Sequence, residues 1–399
     1  MPTDLPSLSI PSAADLSDRL VGWCAINSGS DHAAGLERMR AVLRAAFAVL
    51  PGEIDEPELG PGRPRALRVR CRPEAPHQVL LNIHFDTVYG PEHPFQGCEK
   101  IGPDTLRGPG VADAKGGILV LLTALRAFER LPEARRLGWE VLLGPDEEIG
   151  SPGSETLYQT AAARHQLAMV FEPARENGDL VQARKGTGAM VATCHGRAAH
   201  AAKGAEEGRN AILALADFLL RAARVPDEYP EVTVNVGRIR GGTATNIVPD
   251  LAVAEIDVRC ARRDEGERAL ARLQELAAAV GAREGFRFEL TGGFHRPPLE
   301  ATQANRALFA AYQECGSRLG LSFGAQAVGG GSDGNLFAEA GLPVLDGLGP
   351  VGGGLHSERE WIRLSSLAER ARLAALFLAR VAAGEIVLPA RTVRPRTPG

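Results

Sequence analysis

Apolar positions recur at helical spacing in "DLSDRLVGWCAI" (15–26) and "LERMRAVLRAAFAVL" (36–50), which predicts two amphipathic helices near the start of the chain. The runs "QVLLNI" (78–83), "WEVLL" (139–143) and "LAMVF" (167–171) are short and unbroken, the pattern of strands buried on both faces. "AKGGILVLLTALRAFERL" (114–131) predicts a helix that opens on glycines and stops before Pro132. Helices and buried strands in alternation predict an α/β sandwich through residue 185.

The pattern changes at "RKGTGAM" (184–190). From there to residue 297 come "MVATCHG", "EVTVNVGRI", "LAVAEIDVR" and "FRFELT", alternating strands separated by helices over 208–224 and 264–280. That order predicts an antiparallel sheet with two helices on one face. The last hundred residues return to glycine-rich turns, an apolar run in "LPVLDGLGP" (342–350) and a final helix, "SLAERARLAALFLARVAAG" (366–384). The chain thus divides into an α/β domain over 1–185 and 298–399, interrupted by a smaller α+β insert over 186–297. Only the Pro/Arg-rich tail after 389 reads as loose.

Composition narrows the function classes. A length of 399 residues suits two domains with ample core, and a mixed net charge of −4 argues against a nucleic-acid partner. No run approaches the ~20 apolar residues of a membrane span, and the first residues lack the basic and apolar segments of a secretory signal. The six cysteines are scattered, with no Cys-x-x-Cys pair, which speaks against a cysteine-rich zinc site or a disulfide framework and fits a reducing cytoplasm.

"GPDEEIG" (144–150) places Glu147 and Glu148 side by side just after a buried strand. Adjacent carboxylates repel, and burying them unpaired costs several kcal/mol. Either the pair is solvated on a loop or a cation holds it. Other candidates follow apolar runs in the same way: His84 and Asp86 in "LLNIHFDTV", Glu172 after "LAMVF", and His356 in "GPVGGGLHSERE" after "LPVLDG". Residues two apart on an extended chain point the same way, so Asp86 can orient the His84 ring. Asp113, in the turn "GPGVADAKGG", taken alone reads as a helix N-cap. In open α/β sheets, residues at the carboxyl ends of several strands converge on one crevice. Histidine and carboxylate donors without thiolates suit two divalent ions, zinc, cobalt or manganese, sharing one carboxylate. One glutamate of the pair then binds metal and its neighbour serves as a general base.

At this point the chain resembles peptidase family M20, the di-zinc metallopeptidases that include glutamate carboxypeptidases, aminoacylases, acetylornithine and succinyl-diaminopimelate deacylases, and some dipeptidases. The motifs are "HFDTV", "GPGVADAKGG", "PDEEIGSPGS", "FEP", "HGRAAHAA", "GGTATNIVPD", "EIDVR", "GGGSDGNLF" and "GLHSERE", in family order along nearly the whole chain. The resemblance implies a zinc-aminopeptidase-like α/β catalytic domain and a ferredoxin-like inserted dimerisation, or lid, domain. It implies that Asp113 bridges two metals, with His84 and Glu172 completing one site and Glu148 and His356 the other. Glu147 would be the general base and Asp86 the partner of His84. His200 would reach from the insert of one subunit into the active site of the other and polarise the scissile carbonyl. Asn246, Arg259, Arg296 and Gly330 would bind substrate, the arginines near its C-terminal carboxylate. The implied reaction is hydrolysis of the amide joining an acyl or peptidyl group to an amino acid with a free carboxylate. A carboxypeptidase releasing glutamate comes first, an N-acyl-amino-acid deacylase or dipeptidase second.

Two places bear on that likeness. Many relatives have a cis peptide after the bridging aspartate, on which Ala114 is silent, and many carry a proline shortly after the His200 position, where this chain has "AAKGAEEGRNA". A non-catalytic protein on the same fold would have lost a ligand or the base, and none is missing. A di-metal phosphoesterase could use a similar ligand set but has no need of carboxylate-reading arginines.

Overall fold

The computed structural model describes residues 8–202 and 206–390, so the tail beyond residue 390 lies outside it. The chain opens with α1 (Ala13–Cys24) and α2 (Ala33–Phe47), then β1 (Glu53–Asp55), β2 (Leu67–Cys71) and β3 (Gln78–His84). Next come α3 (Lys115–Phe128), β4 (Gly138–Gly144), α4 (Glu155–Ala162) and β5 (Leu167–Val170). The middle of the chain forms β6 (Gly186–His195), α5 (Ala211–Ala222), β7 (Val232–Gly241), β8 (Leu251–Cys260), α6 (Arg263–Gly281) and β9 (Arg287–Arg296). It then returns through α7 (Gln303–Arg318), α8 (Asp333–Glu339), β10 (Val344–Leu345) and α9 (Ser365–Ala382).

Two compact units result, one of residues up to 182 with 301–327 and 332 onward, the other of 183–300 with 328–331. In the larger unit the sheet order is β1-β2-β4-β3-β5-β10, parallel from β4 to β10 and antiparallel at β1 and β2. β3, β4 and β5 are buried at every position, as their unbroken apolar runs require when helices cover both faces. α3 packs against α9 and α1, and all but one of its residues are buried. Such a helix holds its place by packing, so its first turn is a firm mount.

The smaller unit is an antiparallel sheet in the order β7-β8-β6-β9, backed by α5 and α6. Its core joins Phe218 of α5 and Leu273 of α6 to Ile256 and Met190 of the sheet. β9 runs five residues past "FRFELT", through two glycines that look like a turn. Gly292 has φ +99°, and a Cβ there would stand 2.2 Å from the Ala189 carbonyl oxygen. Glycine is needed here because β6 passes too close for a side chain.

Candidate metal centre

The strands of the larger sheet aim its functional residues at one edge. His84 lies opposite Gly144, and Asn82 opposite both Leu142 and Val170, so β3, β4 and β5 finish together. The residues that follow are Phe85–Asp86, Glu147–Glu148 and Glu172. A fourth segment, the turn before α3, brings Asp113. The N-cap of α3 is Ala114, without a side-chain cap, so Asp113 spends no oxygen on the helix end. The Asp113–Ala114 peptide is cis.

Asp113 faces a different group with each oxygen. Oδ1 lies 3.0 Å from His84 Nε2, which is itself 3.7 Å from Glu172 Oε1. Oδ2 lies 3.2 Å from His356 Nε2, which is 3.2 Å from Glu148 Oε2. The donor atoms of His84, Asp113 and Glu172 all lie within 4.8 Å of one another, as do those of Asp113, Glu148 and His356. Ligands at ~2.0–2.2 Å from a tetrahedral ion are separated by ~3.3–3.6 Å. The donor separations of 3.0–3.7 Å straddle that edge, and a carboxylate shared between two such triads fits a pair of divalent ions.

Charge gives the same answer. Three carboxylates and two imidazoles crowd a site where Asp113 and Glu172 are 7% exposed and His84 1%. Hydrogen bonds to Asp113 and Glu148 raise the His356 imidazole to about 11. Burial works to lower His84, yet its bonds to Asp113 and Asp86 hold it well above its ordinary value. Burial and the Asp113 charge push Glu148 up to about 7. Burial works to raise Asp113, yet hydrogen bonds from His356 and His84 hold it below the usual carboxylate range. The cluster is short of positive charge, which divalent cations could supply in place of protons.

Asp86 organises the strand ends. Its Oδ1 lies 3.1 Å from His84 Nδ1 and accepts the Glu147 N–H at 3.1 Å. Oδ2 accepts the Glu148 N–H at 3.1 Å and the Ser30 hydroxyl at 2.8 Å. Asp86 therefore aims the unshared Nε2 of His84 at the triad and pins the backbone of both glutamates. The adjacent pair divides: Glu148 enters a donor triad and Glu147 belongs to neither.

Glu360 holds the turn of Asp113 and Lys115 is buried just after it; neither carries a role in the sequence reading. Glu360, fully buried, accepts the backbone N–H groups of Gly110, Ala112 and Asp113 at 3.1, 2.9 and 3.0 Å. Burial and the nearby Asp113 charge push its carboxyl up to about 7, against the pull of those donors. It stands four residues after His356, so one short segment supplies a donor to one triad and clamps the turn that carries the shared aspartate. Lys115, 1% exposed, sends its Nζ to the Ile26 carbonyl at 2.7 Å. The signal for Glu360 was its acidity inside "GLHSERE"; nothing in the spacing says which backbone it meets.

The remaining candidates belong to the smaller unit and form two groups. His200 pairs in register with Ile247, and the Ala201 N–H donates to the Asn246 carbonyl at 3.0 Å, so His200 and Asn246 are neighbours, both exposed. The His200 Nδ1 accepts the Ala202 N–H at 3.2 Å. The second group centres on Thr187 of β6, flanked in register by Arg259 on β8 and Arg296 on β9. Arg296 is 5% exposed. Arg259 bonds Asp257 at 3.0 Å and the Gly329 carbonyl at 3.1 Å. Arg184, which the sequence reading passed over, reaches the Gly330 and Gly331 carbonyls at 3.3 and 3.2 Å.

With this geometry in place, comparison with known proteins gives a family. The chain belongs to peptidase family M20/M25/M40, whose model matches residues 80–380. Carboxypeptidase G2 of Pseudomonas sp. (strain RS-16) is 31% identical over 314 residues, 77% of this chain and 74% of that one. Succinyl-diaminopimelate desuccinylase of Acidovorax ebreus is 29% identical over 305 residues, 72% of this chain and 76% of that one. Among solved structures, aminopeptidase PepT of Bacillus cereus aligns with a TM-score of 0.79 at 22% identity, covering 93% of this chain and 99% of that one. That likeness shows the α/β fold with its smaller α+β unit.

Proposed function

We propose that this M20 peptidase is a two-metal amidohydrolase that releases a C-terminal amino acid, glutamate or a near relative, from an acyl or peptidyl group. The observation that carries the reading is the pair of donor triads sharing Asp113, with Glu147 next to a ligand yet outside both triads. His84, Asp113 and Glu172 would hold one ion and Asp113, Glu148 and His356 the other, zinc first, cobalt or manganese otherwise. Such ions, when bound, polarise a substrate carbonyl and make water acidic near neutral pH.

The chain's own residues do the rest. Glu147 accepts a proton from the attacking water and returns it to the leaving amine nitrogen, the work of a positioned carboxylate. Asp86 fixes where Glu147 starts, through the Glu147 N–H. The His200 imidazole donates to the carbonyl oxygen as negative charge develops there. Arg296, assisted by Arg259, pairs with the substrate's free carboxylate through its planar fork, while Asn246 and the Gly330 backbone help to seat the substrate.

We further propose that the working form is a homodimer. Thr187, beside both arginines, and His195, near the His200 loop, are separated by eight residues of one strand, about 26 Å at ~3.3 Å per residue. One insert spans too far to bring both groups to one small substrate, which supports His200 acting on a partner's site. No helix among the described residues is long and apolar enough to cross a membrane; a cytoplasmic location is part of the proposal.

The test is amino-acid release by the zinc- or cobalt-loaded enzyme from N-acyl and N-aminoacyl derivatives of glutamate, neutral and aromatic amino acids, and ornithine. Rapid, EDTA-sensitive release of glutamate is the expected outcome. The match to a desuccinylase keeps an N-acyl-amino-acid deacylase as the second reading. Preference for simple N-acetyl or N-succinyl substrates would decide for it.

A further inference from the structure

Thr123 of α3 is 4% exposed, and its hydroxyl has no hydrogen-bond partner among the described residues. It lines a groove of about 330 Å³ in the larger unit, between the first turns of α1 and the second half of α3. Three guanidiniums line the same groove: Arg19 of α1, Arg126 in the last turn of α3, and Arg130 just beyond it. None of them makes an ion pair or side-chain hydrogen bond among the described residues. Burial and the charges of Arg19 and Arg130 push the Arg126 guanidinium below its ordinary value.

A structural account covers only part of this. A cation in the last turn of α3 complements that helix's carbonyl end, which accounts for Arg126. It leaves Arg19 and Arg130, like charges gathered at the same place against mutual repulsion. Asp15 is the one acid on the lining, and its Oδ2 accepts the Ser12 N–H at 3.3 Å and hydroxyl at 2.7 Å in the capping box of α1. The groove therefore keeps an excess of about two positive charges. The N-terminal end of α1, with its own partial positive charge, borders it as well.

We propose that this groove binds a small phosphate monoester, its oxygens set among Arg19, Arg126 and Arg130 with the Thr123 hydroxyl donating to one of them. Guanidinium meets phosphate in planar, often bidentate pairs. A phosphate monoester carries about −1.5 to −2 charges near neutral pH, which matches the excess, whereas a single carboxylate falls short. Ile10, Leu16 and Leu119 line the groove beside the basic residues and give an organic remainder an apolar wall. The binding class differs from the amide substrate, and nothing in the proposal depends on the reading of the metal centre.

Titration calorimetry of the metal-loaded, full-length enzyme tests it, first with inorganic phosphate and then with glycerol 3-phosphate. Three proteins are compared: wild type, Arg126→Gln/Arg130→Gln and Thr123→Val. Phosphate taken up at the metal centre is common to all three and cancels in the comparison. A binding component at least ~10-fold weaker in the double variant and ~3-fold weaker in Thr123→Val is expected from the loss of charge-assisted and neutral hydrogen bonds. Hydrolysis without phosphate should be unchanged in both, which checks their folding. Identical isotherms in the three proteins overturn the proposal. Binding to phosphatidic-acid vesicles without binding of the soluble ester overturns it too, in favour of a lipid headgroup.

Discussion

Asp113 and His200 are both candidates for the same reaction, yet the molecule treats them in opposite ways. Asp113 is 7% exposed, its turn is clamped by three backbone N–H bonds to Glu360, and it leads into α3, a helix buried at all but one position. His200 is exposed, on a two-residue strand at the end of the smaller unit. In the proposed reaction, the difference follows from what each would have to do. Metal donors have to be in place before the ion arrives, since ligand–ligand repulsion resists their assembly, so they are buried and over-determined. A group that meets substrate from another subunit must remain open until the two come together.

The largest expected effect comes from removing the base while sparing the donors. Glu147→Ala is expected to lower kcat by about 10²–10⁴-fold with two equivalents of zinc still bound by elemental analysis. Loss of metal in that variant would put Glu147 among the ligands and erase the division of the glutamate pair.

The smaller unit is tested next. His200→Ala is expected to lower kcat by about 10²–10³-fold, the usual cost of losing one oxyanion donor. Mixing that variant with Glu147→Ala then decides where His200 acts. In a mixed dimer the site with Glu147 intact meets a partner with His200 intact, so activity returns on mixing. Two inactive variants that stay inactive after subunit exchange would sink the cross-subunit reading.

Asp86→Asn probes the clasp. The amide keeps the shape but can accept at only one of the two positions that now take four partners, so metal affinity or activity is expected to fall ~10–100-fold. A loss confined to metal affinity would mean that Asp86 matters through His84; a loss confined to kcat would point to the Glu147 backbone.

The contrast also decides what could be read from the chain. His84, Asp86, Glu147, Glu148 and Glu172 each follow a run of apolar residues, and periodicity together with the strand-end rule is enough to bring them to one edge. Asp113 was ambiguous on its own, because a helix cap and a metal bridge ask for the same residue in the same turn. His200 and Asn246 carry no local signal at all, and only family resemblance singles them out. The long strands of the insert were read short where Gly292 and Gly293 interrupt β9, since a glycine demanded by a close cross-strand approach looks like one demanded by a turn. Arg184, Lys115 and Glu360 escaped because their roles lie in long-range contacts with backbone, which spacing does not encode.

Glu360 offers the finest test of the over-determined site. Glu360→Gln preserves volume and still accepts through one oxygen, but it loses the negative charge and the second acceptor. Oε1 takes the Ala112 and Asp113 N–H groups and Oε2 takes that of Gly110, so an amide can satisfy one side only and must turn its NH₂ toward the other. A buried N–H left facing a donor costs about 1–3 kcal/mol. That penalty falls on the Gly110–Asp113 turn, and so on the geometry of the shared carboxylate. The expected result is a lower melting temperature and several-fold weaker zinc binding at both sites together, with kcat of the fully loaded enzyme nearly unchanged. Weakening at one site alone would mean that Glu360 acts through the His356 segment and not through Asp113.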